Sequence, residues 1–260
     1  MSNKTGIKWN REETILAFDL YCRIPFGKIS QSNPDIIELA ALLGRTPGSV
    51  ALKMHNLAHY DPKLQERNVT AMAHGSKLDG EIFEEFSRDW TKLSYQAQLI
   101  KAKMQKKNIA EIIDLGDVDE IPAGEYRERM MKQRVGQYFF RMSVLNSYSN
   151  RCCITGLKKS ELLVASHIKP WNVSDEQTER TNPSNGLCLN TLHDKAFDKG
   201  LITISKDFKI IISSRLNETE MDKATREWFW GYNHKQILLP NKFLPGEKFI
   251  EYHNDVIFQR

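Results

Sequence analysis

One stretch of the chain, from Glu161 to Gly200, combines the signals of two short strands, a loop and a short helix. An apolar run ends at His167, a polar loop follows, and residues 185–186 form a turn before a second apolar run over 187–190. A helical pattern then covers 191–198. This order predicts a strand pair followed by a helix, and it constrains the fold more than any other feature of the sequence.

Three polar residues stand at the junctions of these elements. His167 ends the first strand, Asn185 lies in the turn, and His193 lies in the first turn of the helix. A single histidine is usually a satisfied core or surface group, and we expect this of the five others: His55, His59, His74, His234 and His253. The strand and helix boundaries around the first three make them candidates for a base or a metal ligand.

Four sequence blocks around these residues resemble the ββα-metal motif of HNH endonucleases. They are CCITG, ASHIKPW, NPSNGLCLN and LHDKAFDKGLITI. The likeness covers about residues 134–213 and is similar to a subgroup of bacterial restriction endonucleases that includes relatives of the McrA-type, modification-dependent enzymes. The helical N-terminal half resembles, more weakly, a domain often found ahead of this nuclease type.

This resemblance implies an α+β protein with a helical N-terminal domain and a C-terminal ββα-metal nuclease domain. The implied activity is metal-dependent hydrolysis of double-stranded DNA by a restriction or defence enzyme. Modification dependence stays open. One site of this type nicks one strand, so a double-strand break implies a homodimer or two visits.

The resemblance also implies a role for each junction residue. His167, whose ordinary pKa is near ~6.5, would take a proton from the attacking water. Asn185 would fix the loop between the strands and orient His167. His193 would bind one divalent cation, Mg²⁺ or alternatively Mn²⁺, which acts as Lewis acid and template.

The residue before His167 departs from the family pattern. Many members have an acidic metal ligand there, but this chain has Ser166, and serine is a poor ligand for a divalent cation. Coordination would then depend on His193 with Asp194 or Asp198. We expect Asp198 as the second ligand, although it could equally cap the helix or pair with a lysine.

A second departure concerns structural zinc, which many relatives hold between two Cys-x-x-Cys knuckles. Here Cys153 is followed three residues later by Gly156, and Cys188 by Thr191. Two thiolates do not make a tetrahedral site. We therefore expect no structural zinc, with both cysteines as small buried hydrophobic groups.

The N-terminal half carries the punctuation of a helix-turn-helix. Asn33 and Thr46 each precede a proline at a helix start, and Gly44 stops the first of these helices. The second helix would direct Ser49, Lys53, His55 and Asn56 outward. We expect Lys53 and Asn56 to contact DNA; an ordinary helical hairpin is the alternative.

The sequence predicts three segments: a helical, DNA-recognition domain over 1–93, a connector over 94–123 and the nuclease domain over 124–260. The helix that opens the third segment is the most basic part of the chain. We expect Arg134, Arg141 and Lys169 to contact DNA, with a solvated helix face as the alternative for the arginines. The last residues, from about Phe243 to Phe258, alternate as in a final strand or extended tail.

Composition limits the class of protein only broadly. The net charge of +4 tolerates a polyanionic partner without requiring one. No apolar run approaches the ~18 residues that span a bilayer, and no secretory signal is visible, so we expect a cytoplasmic protein without membrane contact. Two other functions stay open: a DNA-binding regulator with an inactive HNH fold, favoured by Ser166, and a nuclease directed at RNA.

Overall fold

A computed structural model describes Lys4 and residues 6–61, 75–112, 124–218 and 220–260. The chain divides into two compact units, Met1–Ser143 and Val144–Arg260. The boundary between the two units falls inside a long helix, whereas the sequence predicts that the second domain begins at Gly124. The acidic part of the predicted connector, residues 113–123, lies outside the described residues.

The described part of the first unit is helical. Its helices are α1 (Arg11–Arg23), α2 (Pro34–Leu43), α3 (Pro47–Ala58), α4 (Lys77–Phe86), α5 (Trp90–Gln105), α6 (Ile109–Ile112) and α7 (Glu125–Ser147), the last of which continues into the second unit. Helix α5, expected to be part of a connector, packs against α1 through a buried face that includes Leu93, Ala97 and Ile100.

Helices α2 and α3 form the predicted hairpin, and their ends follow from local chemistry. Asn33 and Thr46 accept backbone hydrogen bonds at the two helix starts, each ahead of a proline. Gly44 ends α2 with a φ of 67°, a left-handed conformation that glycine adopts without strain. The α+β fold with a helix-turn-helix-like N-terminal core is confirmed.

The expectation that Lys53 lies on the outer face of α3 is wrong. Its side chain is buried, and its Nζ lies 2.6 Å from the buried carboxylate of Asp79 and 5.1 Å from the ring centre of Trp9. Lys53 directly precedes the buried Met54, so it lies at the edge of the inward face of α3. A carboxylate on α4 gives the buried ammonium its partner. Asn56 is half-buried.

The second unit contains the predicted strand pair and helix. Its elements after α7 are β1 (Leu163–His167), β2 (Gly186–Asn190), α8 (Thr191–Asp198), β3 (Ile202–Ile204), β4 (Ile210–Ile212), α9 (Lys223–Trp230) and α10 (Glu247–Tyr252). Strands β1 and β2 pair antiparallel, and the register places His167 opposite Gly186 at one end and Leu163 opposite Asn190 at the other. Helix α8 packs on this pair.

The core of the second unit includes the two cysteines that were expected to be hydrophobic. Cys153 and Cys188 are buried, and the backbone N–H of Cys153 donates to the carbonyl of Cys188 at 2.7 Å. Burial raises the pKa of the Cys153 thiol well above its ordinary value. Both residues therefore lie in the packing between β2 and the loop that precedes β1.

The C-terminal segment is helical, and the expectation of a strand there is wrong. Helix α10 continues into a π-helical turn over His253–Ile257. Phe249, Ile250 and His253 are all buried, at a spacing that places them on one helical face. The ring of His253 stacks on that of Phe197 of α8 at 3.7 Å, so this segment packs directly against the candidate site's helix.

Candidate active site

His167 lies half-buried at the end of β1, where the loop to β2 begins. Its Nε2 lies 2.8 Å from the backbone carbonyl oxygen of Arg180 in that loop. A carbonyl oxygen only accepts hydrogen bonds, so Nε2 carries the proton of the neutral ring and the lone pair lies on Nδ1. The loop thereby fixes both the ring orientation and the tautomer of His167.

The environment of His167 favours the neutral ring. Burial lowers the pKa of His167 below its ordinary value, and the Arg180 carbonyl only partly opposes this effect. The Trp171 ring lies edge-on to the imidazole at 5.5 Å and provides part of the apolar surroundings. A neutral imidazole with its lone pair on Nδ1 is the form that a general base needs.

Asn185 holds the loop that carries Arg180. Its side chain is fully buried; its Oδ1 accepts from the backbone N–H of Lys169 at 2.8 Å. Its Nδ2 donates to the carbonyl of Lys169 at 3.1 Å and to the carbonyl of Glu179 at 3.4 Å. One amide therefore ties together both ends of the loop, next to His167 and next to Arg180.

Lys169 braces the same loop through an ion pair. Its Nζ lies 2.5 Å from Glu179, which also binds Lys248 at 3.0 Å. Burial alone would raise the pKa of Glu179, but hydrogen bonds from Lys169, from the Asp175 backbone and from Lys248 lower it to about 2. Glu179 engages the ammonium of Lys169, and the expected contact of Lys169 with DNA stays a prediction.

Ser166 occupies the position at which many relatives have an acid. It is buried, and its Oγ has no hydrogen-bond partner within the part of the chain that the structure describes. Side chains alternate along a strand, so Ser166 and His167 point to opposite faces of β1.

His193 lies near the start of α8 and is buried, with 1% of its surface exposed. Its Nε2 lies 2.7 Å from the carbonyl oxygen of Trp228, and its Nδ1 lies 2.8 Å from Nδ2 of Asn190. The carbonyl requires a proton on Nε2, so the Asn190 amide donates to the lone pair on Nδ1. Asn190 also caps α8 by accepting from the backbone N–H of His193 at 3.0 Å.

This arrangement does not fit the expected role of His193 as a metal ligand. A histidine binds a metal through a ring nitrogen lone pair. That lone pair accepts a hydrogen bond from Asn190, and the other nitrogen donates to Trp228. Within the described ranges, no group of three or more His, Cys, Asp and Glu side chains is placed to hold a metal ion.

Asp198 lies exposed at the end of α8, one helical turn after Asp194. The two carboxylates share a face of the helix because residues four apart are neighbours. Partial burial and the charge of Asp194 raise the pKa of Asp198, while Lys195 and Lys199 act in the opposite direction. Carboxylate oxygens are the ligands that Mg²⁺ prefers, so the chemistry of this pair fits such a cation.

The arginines predicted to contact DNA both lie exposed on α7 of the first unit. Arg134 and Arg141 are seven residues apart, and Tyr138, with 57% of its surface exposed, lies between them. This spacing places the three side chains on one face of the helix. We call them the α7 stripe.

Comparison with known proteins identifies the segment that holds the three junction residues. A family described as HNH endonuclease matches residues 152–205, which include β1, β2, α8 and β3. This segment is an HNH endonuclease domain. His167, Asn185 and His193 all lie inside this matched segment.

The other comparisons with known proteins are less informative about this chain. No curated protein matches the chain. A solved structure described as "Modification dependent TagI restriction endonuclease" is 18% identical over 44% of this chain and 35% of that chain, with a TM-score of 0.30. The chain thus spans about a third of that protein's length. Among the described residues, no helix is long and apolar enough to cross a membrane.

Sequence reasoning missed a polar cluster at the opposite end of the HNH strand pair from His167. Cys152, Thr155, Asn190 and His193 meet there through side-chain hydrogen bonds. The signal was available in the two spacings Cys152-x-x-Thr155 and Asn190-x-x-His193.

Proposed function

We propose that the chain is a metal-dependent DNA endonuclease of a restriction or defence system. The observation that carries this proposal is the neutral His167 within the HNH segment. Its ring is held by the Arg180 carbonyl of the loop between β1 and β2. Its substrate class is double-stranded DNA.

His167 acts as the general base. Its Nδ1 accepts a proton from a water molecule as the water oxygen attacks the phosphorus of a phosphodiester. The bond from phosphorus to the 3′-oxygen breaks, and that oxygen leaves with a proton taken from solvent. Asn185 positions His167 indirectly, since it holds the loop that supplies the Arg180 carbonyl.

HNH nucleases generally use a divalent cation, and Asp198 with Asp194 would hold one here. Mg²⁺ is the expected ion, and Mn²⁺ would replace it. When bound, the cation stabilises negative charge on the phosphate and the leaving oxygen. His193 has no place in this ligand set, because both of its ring nitrogens are bonded to protein groups.

The first unit supplies DNA affinity. The α7 stripe offers two guanidinium groups for phosphates and one aromatic ring between them. A cavity of about 340 Å³ beside it is lined by Arg23, Lys101, Arg134 and Tyr138, among others. Asn56 on α3 adds a half-buried amide to this unit's candidate contacts.

Three further features complete the proposal. Target choice could depend on a base modification, as the sequence resemblance implies. A homodimer would cut both strands, since one HNH site nicks one strand. We place the activity in the cytoplasm, where the four cysteines, Cys22, Cys152, Cys153 and Cys188, would stay reduced; all four are buried, and none is in a disulfide.

Cleavage of DNA that carries different cytosine modifications tests the function directly. The protein is mixed with supercoiled plasmid and with modified and unmodified genomic DNA, in Mg²⁺, in Mn²⁺ and in chelator. We expect nicking or cutting that requires the divalent cation. DNA binding without nicking under any metal would instead favour the regulator with an inactive HNH fold, and preferential degradation of competing RNA would favour an RNA nuclease.

A further inference from the structure

Three side chains, from Cys152, Thr155 and His193, converge on the amide nitrogen of Asn190. Its Nδ2 lies 2.8 Å from Nδ1 of His193, 3.4 Å from Oγ1 of Thr155 and 3.5 Å from Sγ of Cys152. In a tetrahedral zinc site, ligand atoms that are each ~2.0–2.3 Å from the metal lie about 3.5 Å from one another. The distances from Asn190 Nδ2 to Thr155 Oγ1 and to Cys152 Sγ match this spacing, and His193 Nδ1 lies closer, at hydrogen-bond distance.

The two segments also have the backbone form of a metal knuckle. Cys152 and Thr155 occupy the first and fourth positions of a five-residue turn, closed by a 2.9 Å bond from the N–H of Gly156 to the carbonyl of Cys152. Gly156 has a φ of 74° and allows the chain to leave this turn. Asn190 and His193 are the cap and the third residue of α8.

His193 is oriented as a structural metal ligand usually is. Metal-binding histidines donate their second ring N–H to a carboxylate or a backbone carbonyl, which fixes the tautomer. Here Nε2 donates to the carbonyl of Trp228, and Nδ1 faces Asn190 inside the cluster. A cavity of about 330 Å³ is lined in part by Asn190 and Trp228, so it borders the cluster at Asn190.

We propose that Cys152, Thr155, Asn190 and His193 form a metal knuckle closed by hydrogen bonds in place of an ion. The double substitution Thr155→Cys with Asn190→Cys converts it into a tetrahedral Zn²⁺ site with three thiolates and one imidazole. In the natural chain His193 is then a positioning residue. It links the start of α8 to Cys152 through Asn190, and to α9 through the carbonyl of Trp228. The positioning role of His193 in catalysis rests on the proposed nuclease function.

Cobalt spectroscopy of the full chain tests the knuckle. Co²⁺ is titrated into the double variant, wild type, each single variant and the double variant that also carries Cys152→Ser. We expect one Co²⁺ per chain in the double variant, with the intense visible bands of tetrahedral cobalt and a thiolate-to-cobalt band, and displacement by Zn²⁺. Wild type should show none of these bands, and Cys152→Ser should weaken binding.

If the double variant does not fold, the single variant Asn190→Cys tests the proposal in its place. That variant supplies three ligands, so it should bind Co²⁺ tetrahedrally with lower affinity. The proposal is overturned if neither variant gives a tetrahedral cobalt spectrum. A spectrum that survives His193→Ala unchanged in the double variant would also overturn it.

Nicking by the zinc-loaded double variant tests the role of His193 separately. Free Zn²⁺ is removed and Mg²⁺ is added. We expect a nicking rate within about tenfold of wild type, the order of effect that second-shell changes produce. Loss of nicking while the cobalt spectrum is intact would show that the catalytic cation needs His193. Failure of wild type to nick would refute the nuclease proposal and leave the knuckle result standing.

Discussion

The backbone carbonyl oxygen of Arg180 lies 2.8 Å from Nε2 of His167, thirteen residues earlier in the chain. This single contact determines which nitrogen of the base holds the proton and which can accept one. It also makes catalysis depend on the conformation of the loop between β1 and β2.

The first prediction concerns the pH dependence of nicking. Burial lowers the pKa of His167, so its neutral form persists at a pH at which an ordinary histidine, with a pKa near ~6.5, is already protonated. We expect the midpoint of the acidic limb, in the profile of kcat/KM against pH, to lie below pH ~6.5. A limb at or above it would contradict the assignment of His167 as base.

The second prediction concerns His167 itself. His167→Ala should lower the nicking rate by about 10²–10⁴-fold, which is the usual contribution of a general base. Circular dichroism and DNA affinity should stay close to wild type. His234→Ala, which removes an exposed histidine of the same unit, is the matched control and should keep full activity.

The third prediction concerns the loop. Asn185→Ala removes a buried amide and leaves the Lys169 and Glu179 backbone groups unpaired. We expect the free energy of unfolding to fall by about 1–3 kcal/mol, and the loop to become sensitive to protease. Nicking should fall as well, because Arg180 no longer holds His167. Asn172→Ala, an exposed site in the same loop, should change stability by less than about 0.5 kcal/mol.

The parts of the site that were predictable from sequence are those set by neighbours in the chain. The ends of β1, β2 and α8 follow from apolar runs, the turn at Asn185 and the cap at Asn190, and these place His167 where it was expected. The loop contacts of Asn185 are likewise made within the segment that joins the strands.

The parts that were not predictable depend on partners distant in sequence. Lys53 reads as an exposed cation until Asp79, on another helix, is placed beside it. The Nε2 proton of His193 is accepted by the carbonyl of Trp228, 35 residues later, a partner that no pattern in the sequence indicates. The alternating pattern near the C-terminus predicted a strand, whereas Phe249, Ile250 and His253 are buried on one helical face, with His253 stacked on Phe197 of α8.

The fourth prediction concerns DNA affinity. If Arg134 and Arg141 each contact a phosphate, replacing either with Ala should reduce the slope of log Kobs against log salt by about 1. Affinity should fall similarly for all sequences, since phosphate contacts read no bases. Lys132→Ala removes the same charge from the same helix but from a position paired with Glu128, away from the α7 stripe, and should leave the slope unchanged. An equal change for all three variants would indicate only a general effect of net charge.

The fifth prediction concerns the pH dependence of stability. His253 is buried, with Nε2 facing the carbonyl of Phe197 at 3.1 Å and Nδ1 lying 2.8 Å from Oγ1 of Thr203. Burial lowers the pKa of His253 to about 4, although the Phe197 carbonyl partly opposes this. Below pH ~6.5 the unfolded chain therefore binds the proton first, and protonation favours unfolding.

We expect this group to contribute a loss of about 3 kcal/mol in the free energy of unfolding as the pH falls from ~6.5, where the unfolded chain binds the proton, to about 4, the pKa of His253 in the folded chain. Urea denaturation at several pH values measures it. His253→Gln should be less stable at pH 7 but should show a flatter profile over this window, whereas His234→Ala should keep the wild-type slope. His167 changes stability in the same direction, so the difference between wild type and His253→Gln isolates the contribution of His253. Glu179 loses its contribution as the pH falls from about 4.5, where the unfolded chain protonates, towards its folded pKa of about 2, and this loss is common to wild type and His253→Gln. An unchanged slope in His253→Gln would show that His253 is not neutral in the folded chain.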